Sequence, residues 1–368
     1  MKSVVYLLLI VVTLGFGSCS NHRADLQLDG TLEAEVVKLD TAIYGSSIRC
    51  GYKDLVFLWQ KSPDWCFEVC QLKNDSLIKL GNFLSKGGGP FEMPRGNLYV
   101  SEDLQKLFVW SDNYMTMYSI PFPLKTNIFR KETWEKLNVP SPEGEFFWSN
   151  SLSPIQVVDD STFLVMASNY KENYFLSLVE EGNCITPVYD LPYPEDGVSA
   201  APTIRWSAYN NDGWFLKRPG YNKYAFTGED GNYLGIFDWE DKKICNLKYS
   251  LNEFPDYYAR PDGINIKRNP NNQLGYMARS TSKYIYLLAS PFKKRQERVD
   301  NVSYKGYNRF SRNRITICTW EGEIVGNYLL EIPINTFVVS EDDRFLVGYT
   351  ENPETGDYTM VRYALPID

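Results

Sequence analysis

Histidine is all but missing: His22 is the one imidazole in 368 residues. A Ser-His-Asp triad, a Cys-His dyad and any metal site with two His ligands therefore lack their materials. His22 itself lies three residues past Cys19 in a polar stretch and reads as a solvated side chain. Helical patterning is scarce too. No long segment keeps apolar residues at i, i+3, i+4 and i+7 without Gly or Pro interrupting it. Beyond residue 16, no run approaches the roughly eighteen consecutive apolar residues of a membrane helix. The seven cysteines contain no CxxC pair, so neither a disulfide scaffold nor a thiolate metal site is expected. No D-x-D-x-D-G calcium loop occurs. We expect no metal and no cofactor. What the chain has is bulk: 43% hydrophobic residues and 15% aromatics, enough for a large core and far from a disordered composition.

Charge is unevenly spread. The chain carries −8 overall, yet Arg260 to Arg314 holds thirteen Lys or Arg against three acids. Its densest part contains Lys293, Lys294, Arg295, Arg298, Tyr304, Tyr307, Arg309 and Arg312. Interleaved cations and aromatics can grip anionic or sugar ligands through fork hydrogen bonds and stacking. They equally suit a long solvated loop docked on an acidic surface of the same protein. Cys66 and Cys70 sit four apart in a strand-like run, which puts them about 13 Å apart, too far to bridge. Most cysteines after Cys19 read as small core residues.

The chain opens with Met1-Lys2-Ser3 and an apolar run from Val4 to Phe16, followed by Gly17, Ser18 and Cys19. The run is short for a bilayer and long enough for a signal-peptide core. Small residues before a cysteine at that point resemble the lipobox of bacterial lipoproteins. Phe16 stands where that family prefers Leu. The resemblance implies removal of residues 1–18 as a signal peptide and acylation of Cys19, with residues 19–30 as a polar tether and 31–368 as one folded domain. Each buried methylene of an acyl chain contributes about 0.8 kcal/mol, so several chains on one cysteine anchor stably.

From there the pattern is strand, tight turn, strand. Asp54–Trp59, Trp65–Leu72, Ser76–Leu80, Leu107–Trp110, Tyr114–Ile120, Thr162–Ala167, Tyr174–Val179, Gly213–Lys217, Lys223–Phe226 and Tyr233–Asp238 are strand candidates. So are Tyr284–Ala289, Ile315–Trp320, Phe345–Tyr349 and Tyr358–Ala364. Glu229-Asp230-Gly231-Asn232, Glu321-Gly322-Glu323 and Glu354-Thr355-Gly356-Asp357 supply the positive φ of hairpin turns. An all-β chain of this length has many edges to hide. Radial repetition of four-stranded blades hides them, and six blades of about 56 residues fit, with seven of about 48 fitting nearly as well. The expected fold is an all-β β-propeller. Its ring should close by pairing a strand from Thr31–Leu39 with the last strand of the chain.

One segment is more specific. Leu80 to Met93 contains Gly87, Gly89, Pro90 and Glu92 in the order of a G-x-G-P-G-E-F signature, with Phe91 in place of the third glycine and Met93 in place of the aromatic. It resembles the TolB-like six-bladed propeller lipoproteins of Bacteroides-type bacteria. The resemblance implies six blades and an outer-membrane lipoprotein, its periplasmic or surface face left open, and no established reaction. A phosphate cradle would need a following helix, which Pro90 to Pro94 does not supply. The glycines read instead as an inter-blade crossover, with Pro90 stiffening the exit and Glu92 accepting hydrogen bonds from freed backbone donors.

Asp159-Asp160 and Asp342-Asp343 are adjacent carboxylates that precede strands, so they read as turns. Asp40-Thr41-Ala42, Asp75-Ser76-Leu77 and Asp160-Ser161-Thr162 resemble a Bacteroides O-glycosylation acceptor, against a background of ordinary turn residues. The expected function is an envelope lipoprotein whose propeller binds a glycan, a peptide or a protein partner. Its contacts are the membrane through the lipid anchor and an envelope ligand, not nucleic acid. The alternative is a carbohydrate-active hydrolase or lyase using Asp, Glu, Tyr or Arg at the channel.

Overall fold

A computed structural model describes residues 26–367, leaving out 40–42, 44, 74, 112–115, 138–145, 149–154, 160, 170–173, 181–183, 191–207, 210–212, 229, 241–242, 261–265, 293, 295, 297–302, 305–306, 309–310 and 353–354. Six antiparallel sheets stand in a ring, so the blade count is six rather than seven. Blade 1 is Gly45–Tyr52, Leu55–Gln60, Trp65–Lys73 and Ser76–Ser85. Blade 2 is Gly96–Ser101, Lys106–Ser111, Met117–Pro121 and Glu135–Leu137. In blade 3 the innermost position is shared by Phe146–Trp148 and Ile155–Val157, both paired with Phe163–Asn169, and Tyr174–Glu180 and Cys184–Asp190 follow. Blade 4 is Trp214–Lys217, Lys223–Thr227, Asn232–Glu240 and Lys243–Glu253. Blade 5 is Met277–Ser280, Tyr284–Ala289, Arg312–Thr319 and Ile324–Ile334. Blade 6 is Thr336–Val339, Phe345–Glu351 and Tyr358–Ala364, completed by Glu35–Val36 from the other end of the chain.

The core is divided into six clusters, one between each pair of neighbouring blades. This explains why the middle strands are apolar without a polar alternation: both faces of each blade are covered. In Leu55–Gln60, Leu55 and Phe57 pack toward blade 2 while Val56 and Leu58 pack toward blade 6. In Tyr284–Ala289, Tyr286 and Leu288 face blade 6 and Ile285 and Leu287 face blade 4. Fully burying each such side chain stabilises by about 1.5–3 kcal/mol.

Glu35 lies opposite Arg362 and Val36 opposite Val361, so the two ends of the chain close the ring as expected. The strand expected over Thr31–Leu39 is not one strand, however. Gly30–Leu32 runs parallel to the outermost strand of blade 5, Glu35–Val36 completes blade 6, and Lys38–Leu39 runs parallel to the outermost strand of blade 1. One straight strand cannot follow three edges that fan around an axis, so it breaks between them. The strap begins earlier still: Asn327 Nδ2 donates to Leu26 O at 3.1 Å and Gln27 O at 2.7 Å, and Asp29 Oδ2 accepts from Asn327 N at 2.8 Å.

The turn glycines behave as read, with φ of 84° at Gly231 and 86° at Gly322. Cys66, Cys70 and Cys318 are buried, Cys50 and Cys245 partly so, and these five form no disulfide. Cys66 and Cys70 pack in different inter-blade clusters. Asp342 and Asp343 lie in a turn as expected, but Asp343 is buried and accepts from Thr281 Oγ1 and Tyr286 Oη, both at 2.7 Å. That turn clamps blade 6 to blade 5.

Candidate functional site

The innermost strands surround the axis, and their later halves line a cavity of about 170 Å³. Every blade contributes: Arg49 and Cys50 from blade 1, Asn97 and Tyr99 from blade 2, Gln156 from blade 3, Trp214 and Lys217 from blade 4, Arg279 from blade 5 and Val338 from blade 6. Space at the axis is short. A Cβ on Gly51 would stand 2.8 Å from Val338 Cγ1, which is why that strand carries glycine there.

Arg279 is the centre of the site. Its Nε donates to Phe337 O at 3.1 Å, its Nη1 to Ala278 O at 2.9 Å and its Nη2 to Arg49 O at 3.2 Å. One guanidinium thus reaches the innermost strands of blades 5, 6 and 1. It lies over the Trp214 ring, 4.3 Å from the centroid. Carbonyls and an indole orient it and leave its charge uncancelled. Burial, with Arg49 nearby, brings the Arg279 pKa down to about 10, and burial raises the adjacent Cys50 thiol to about 11. Both shifts mark a low-dielectric pocket, and the thiol stays neutral at pH 7. Gln156 is buried at the same cavity; its Nε2 donates to Phe215 O at 2.9 Å and its Oε1 has no partner among the described residues.

At the rim, Asp103 of blade 2 pairs with Lys217 of blade 4 and accepts from Gly220 N at 2.7 Å. This contact spans the mouth above blade 3. Glu102 beside it is held above the usual carboxylate range, by burial first and then by Glu341 and Asp103.

The signature residues lie elsewhere, in the crossover from blade 1 to blade 2. Gly89 N donates to Glu92 Oε2 at 3.1 Å. A Cβ on Gly87 would overlap that same carboxylate oxygen, and one on Gly89 would approach it to 3.0 Å. The glycines and Glu92 therefore form one packed turn, with Pro90 exposed at its tip. Phe91, at φ 59°, turns its ring onto Tyr118 and Trp134, with centroids 5.2 and 5.8 Å away. A strand follows the loop, so no helix N-terminus faces the glycines.

Of the basic segment, Lys294 is exposed and near Asn271, and Arg312 is partly buried at the start of its strand. Ser303–Tyr304 pairs with Tyr307–Asn308 through the backbone. Lys293, Arg295, Arg298 and Arg309 lie outside the described residues, as do Cys19, residues 1–18 and Asp40-Thr41-Ala42. Among the described residues, none of the segment from 293 to 312 lines the channel. Sequence reasoning missed the residues that do. Arg279 counted only as one more cation in the basic stretch, and nothing in the sequence sets it apart from its neighbours.

The profile of the family described as TolB-like 6-blade propeller-like matches residues 73–342. The chain belongs to that family. Two solved structures resemble this TolB-like propeller over nearly its whole length. A member of the DUF4221 family from Bacteroides vulgatus shares 12% identity, covering 90% of this chain and 95% of its own at a TM-score of 0.54. A candidate exported protein from Bacteroides fragilis shares 9%, covering 92% and 96% at a TM-score of 0.52. At these identities the likeness concerns the fold. No curated protein sequence matches this TolB-like chain. Among its described residues no helix is long and apolar enough to cross a membrane, and no group of His, Cys, Asp or Glu could hold a metal ion.

Proposed function

We propose that this TolB-like propeller is a binding module of a bacterial envelope lipoprotein and takes its ligand at the central channel. One observation carries the reading: all six blades converge on a cavity where the guanidinium of Arg279 is held by carbonyls and has no acidic partner among the described residues. An oriented charge without a counter-ion is costly to a fold and useful to a ligand. The lipobox-like Gly17-Ser18-Cys19 and the exported Bacteroides neighbour support the location. In this reading the chain is cut before Cys19, the thiol is acylated, and the strap from Leu26 holds the ring close to the outer membrane. Residues 19 to 25 extended reach at most about 25 Å.

Two measurements test this. Radiolabelled palmitate should enter the wild-type protein and not Cys19→Ala; equal labelling removes the anchor. A glycan and peptide array should show binding by the wild type that Ser280→Trp, which fills the channel mouth, abolishes. Depolymerised glycan in the same wells would replace the binding module with a hydrolase or lyase.

A further inference from the structure

The channel specifies more than a site. Arg279 has five N–H donors, and three are taken by the carbonyls of Phe337, Ala278 and Arg49. Among the described residues, one donor on each terminal nitrogen is left without an acceptor and Arg279 makes no ion pair. The nearby groups do not answer the charge. Asp103 is engaged by Lys217 and Gly220 N, and the Cys50 thiol is neutral. Two donors on adjacent nitrogens are what a planar carboxylate bridges.

Gln156 adds a second requirement. Its amide is fixed by the bond from Nε2 to Phe215 O, which leaves Oε1 as a buried acceptor without a donor among the described residues. Phe215 neighbours Trp214, the residue under the guanidinium, so the orphan acceptor and the cation flank the same strand of blade 4. An acceptor there repels a fully ionised tetrahedral oxyanion such as sulfate, which has oxygens on all sides and no proton to give, and welcomes a hydroxyl. The cavity, about 170 Å³, is below the range of roughly 300 Å³ and more that encloses a drug-sized ligand.

We infer that the channel is a recognition site for a compact hydroxy-carboxylate, with the carboxylate on Arg279 and a hydroxyl directed to Gln156. This rests on the channel being the ligand site of a binding module. It names the chemistry of the ligand and leaves open whether it comes free or as the end group of a larger molecule.

Isothermal titration of the purified protein against sodium gluconate, sodium glucuronate, glucose and sodium sulfate tests it. The two hydroxy acids should bind, and glucose and sulfate should not. Arg279→Gln should weaken gluconate by about 10- to 100-fold, the range for a charge-assisted hydrogen bond. Arg279→Lys, which keeps the charge and loses the fork, should fall between and serves if the glutamine variant does not fold. Gln156→Leu should reduce the preference for gluconate over hexanoate, which has a carboxylate and no hydroxyl. Glucose binding as well as gluconate, sulfate binding in preference, absence of heat with both hydroxy acids, or equal affinity in the Arg279 variants would each overturn the inference. Array ligands that bind the wild type and not Ser280→Trp would leave the channel reading standing while these carboxylates failed. Array binding indifferent to Ser280→Trp would remove both. To separate sources, methyl glucuronoside can be titrated as the end-group mimic; binding equal to free glucuronate fits an end group, and its loss fits a free acid.

Discussion

In blade 1 the second strand, Leu55–Gln60, is buried on both faces, while the first, Gly45–Tyr52, is a mixture of Gly, Ser, Ile, Arg, Cys and Tyr that is mostly half-buried. The two strands are hydrogen-bonded neighbours, and the innermost strands of blades 4, 5 and 6 are likewise only partly buried. Middle strands are pressed between blades, so any large apolar side chain that fits is favoured. Innermost strands crowd around an axis, so glycine makes room at Gly51 and polar side chains such as Arg49, Asn97 and Gln156 face the cavity. Apolar burial is concentrated in one set and cavity-facing polar groups in the other.

The comparison can be broken most decisively in a middle strand. Phe57 is fully buried against Phe83. Phe57→Ala should cost about 3–5 kcal/mol, read as a fall in the denaturant midpoint with an unchanged slope. A loss below 1 kcal/mol would mean that the blade interfaces do not carry the fold. A smaller effect is expected at the axis. Gly51→Ala places a methyl 2.8 Å from Val338 Cγ1, and overpacking of this kind costs about 1–3 kcal/mol. Thermal unfolding should show a modest drop, with ligand binding lost before the fold. A variant as stable as the wild type would show that the axis is looser than it looks.

The smallest effect concerns the rim. Glu102 is raised above its ordinary 4.5 by burial, Glu341 and Asp103. A carboxyl raised in the folded state favours folding while protonated. That contribution is complete below the ordinary value and vanishes as pH climbs through the raised one. Wild-type melting temperature should therefore sag slightly above pH 4.5 relative to Glu102→Gln, which cannot ionise. Parallel curves for the two proteins would remove the rim repulsion.

The same contrast explains what could be read from the residues alone. Leu107–Phe108–Val109–Trp110, Tyr284–Ala289 and Phe345–Tyr349 announce themselves because burial on both faces leaves an unbroken apolar run between turns. The crossover signature was legible because Gly87, Gly89 and Glu92 must pack on one another locally. Gly45–Tyr52, Met277–Ser280 and Thr336–Val339 carry no such mark. Their composition answers to neighbours from five other blades, a constraint that no window of adjacent residues contains. Arg279 becomes distinctive only when Trp214, Phe337 and Arg49 are brought around it.

The strap at residues 26–39 has a consequence for how the molecule is made. The strap residues wait for partners in blades 5, 6 and 1, and Glu35 meets Arg362 only after the last strand of blade 6 has been made. Loop closure over such a span is slow, and an open ring exposes bare sheet edges meanwhile. A chain made from its N-terminus therefore cannot lock itself blade by blade. Its maturation is a single late event, and the strap is the bolt that is shot last.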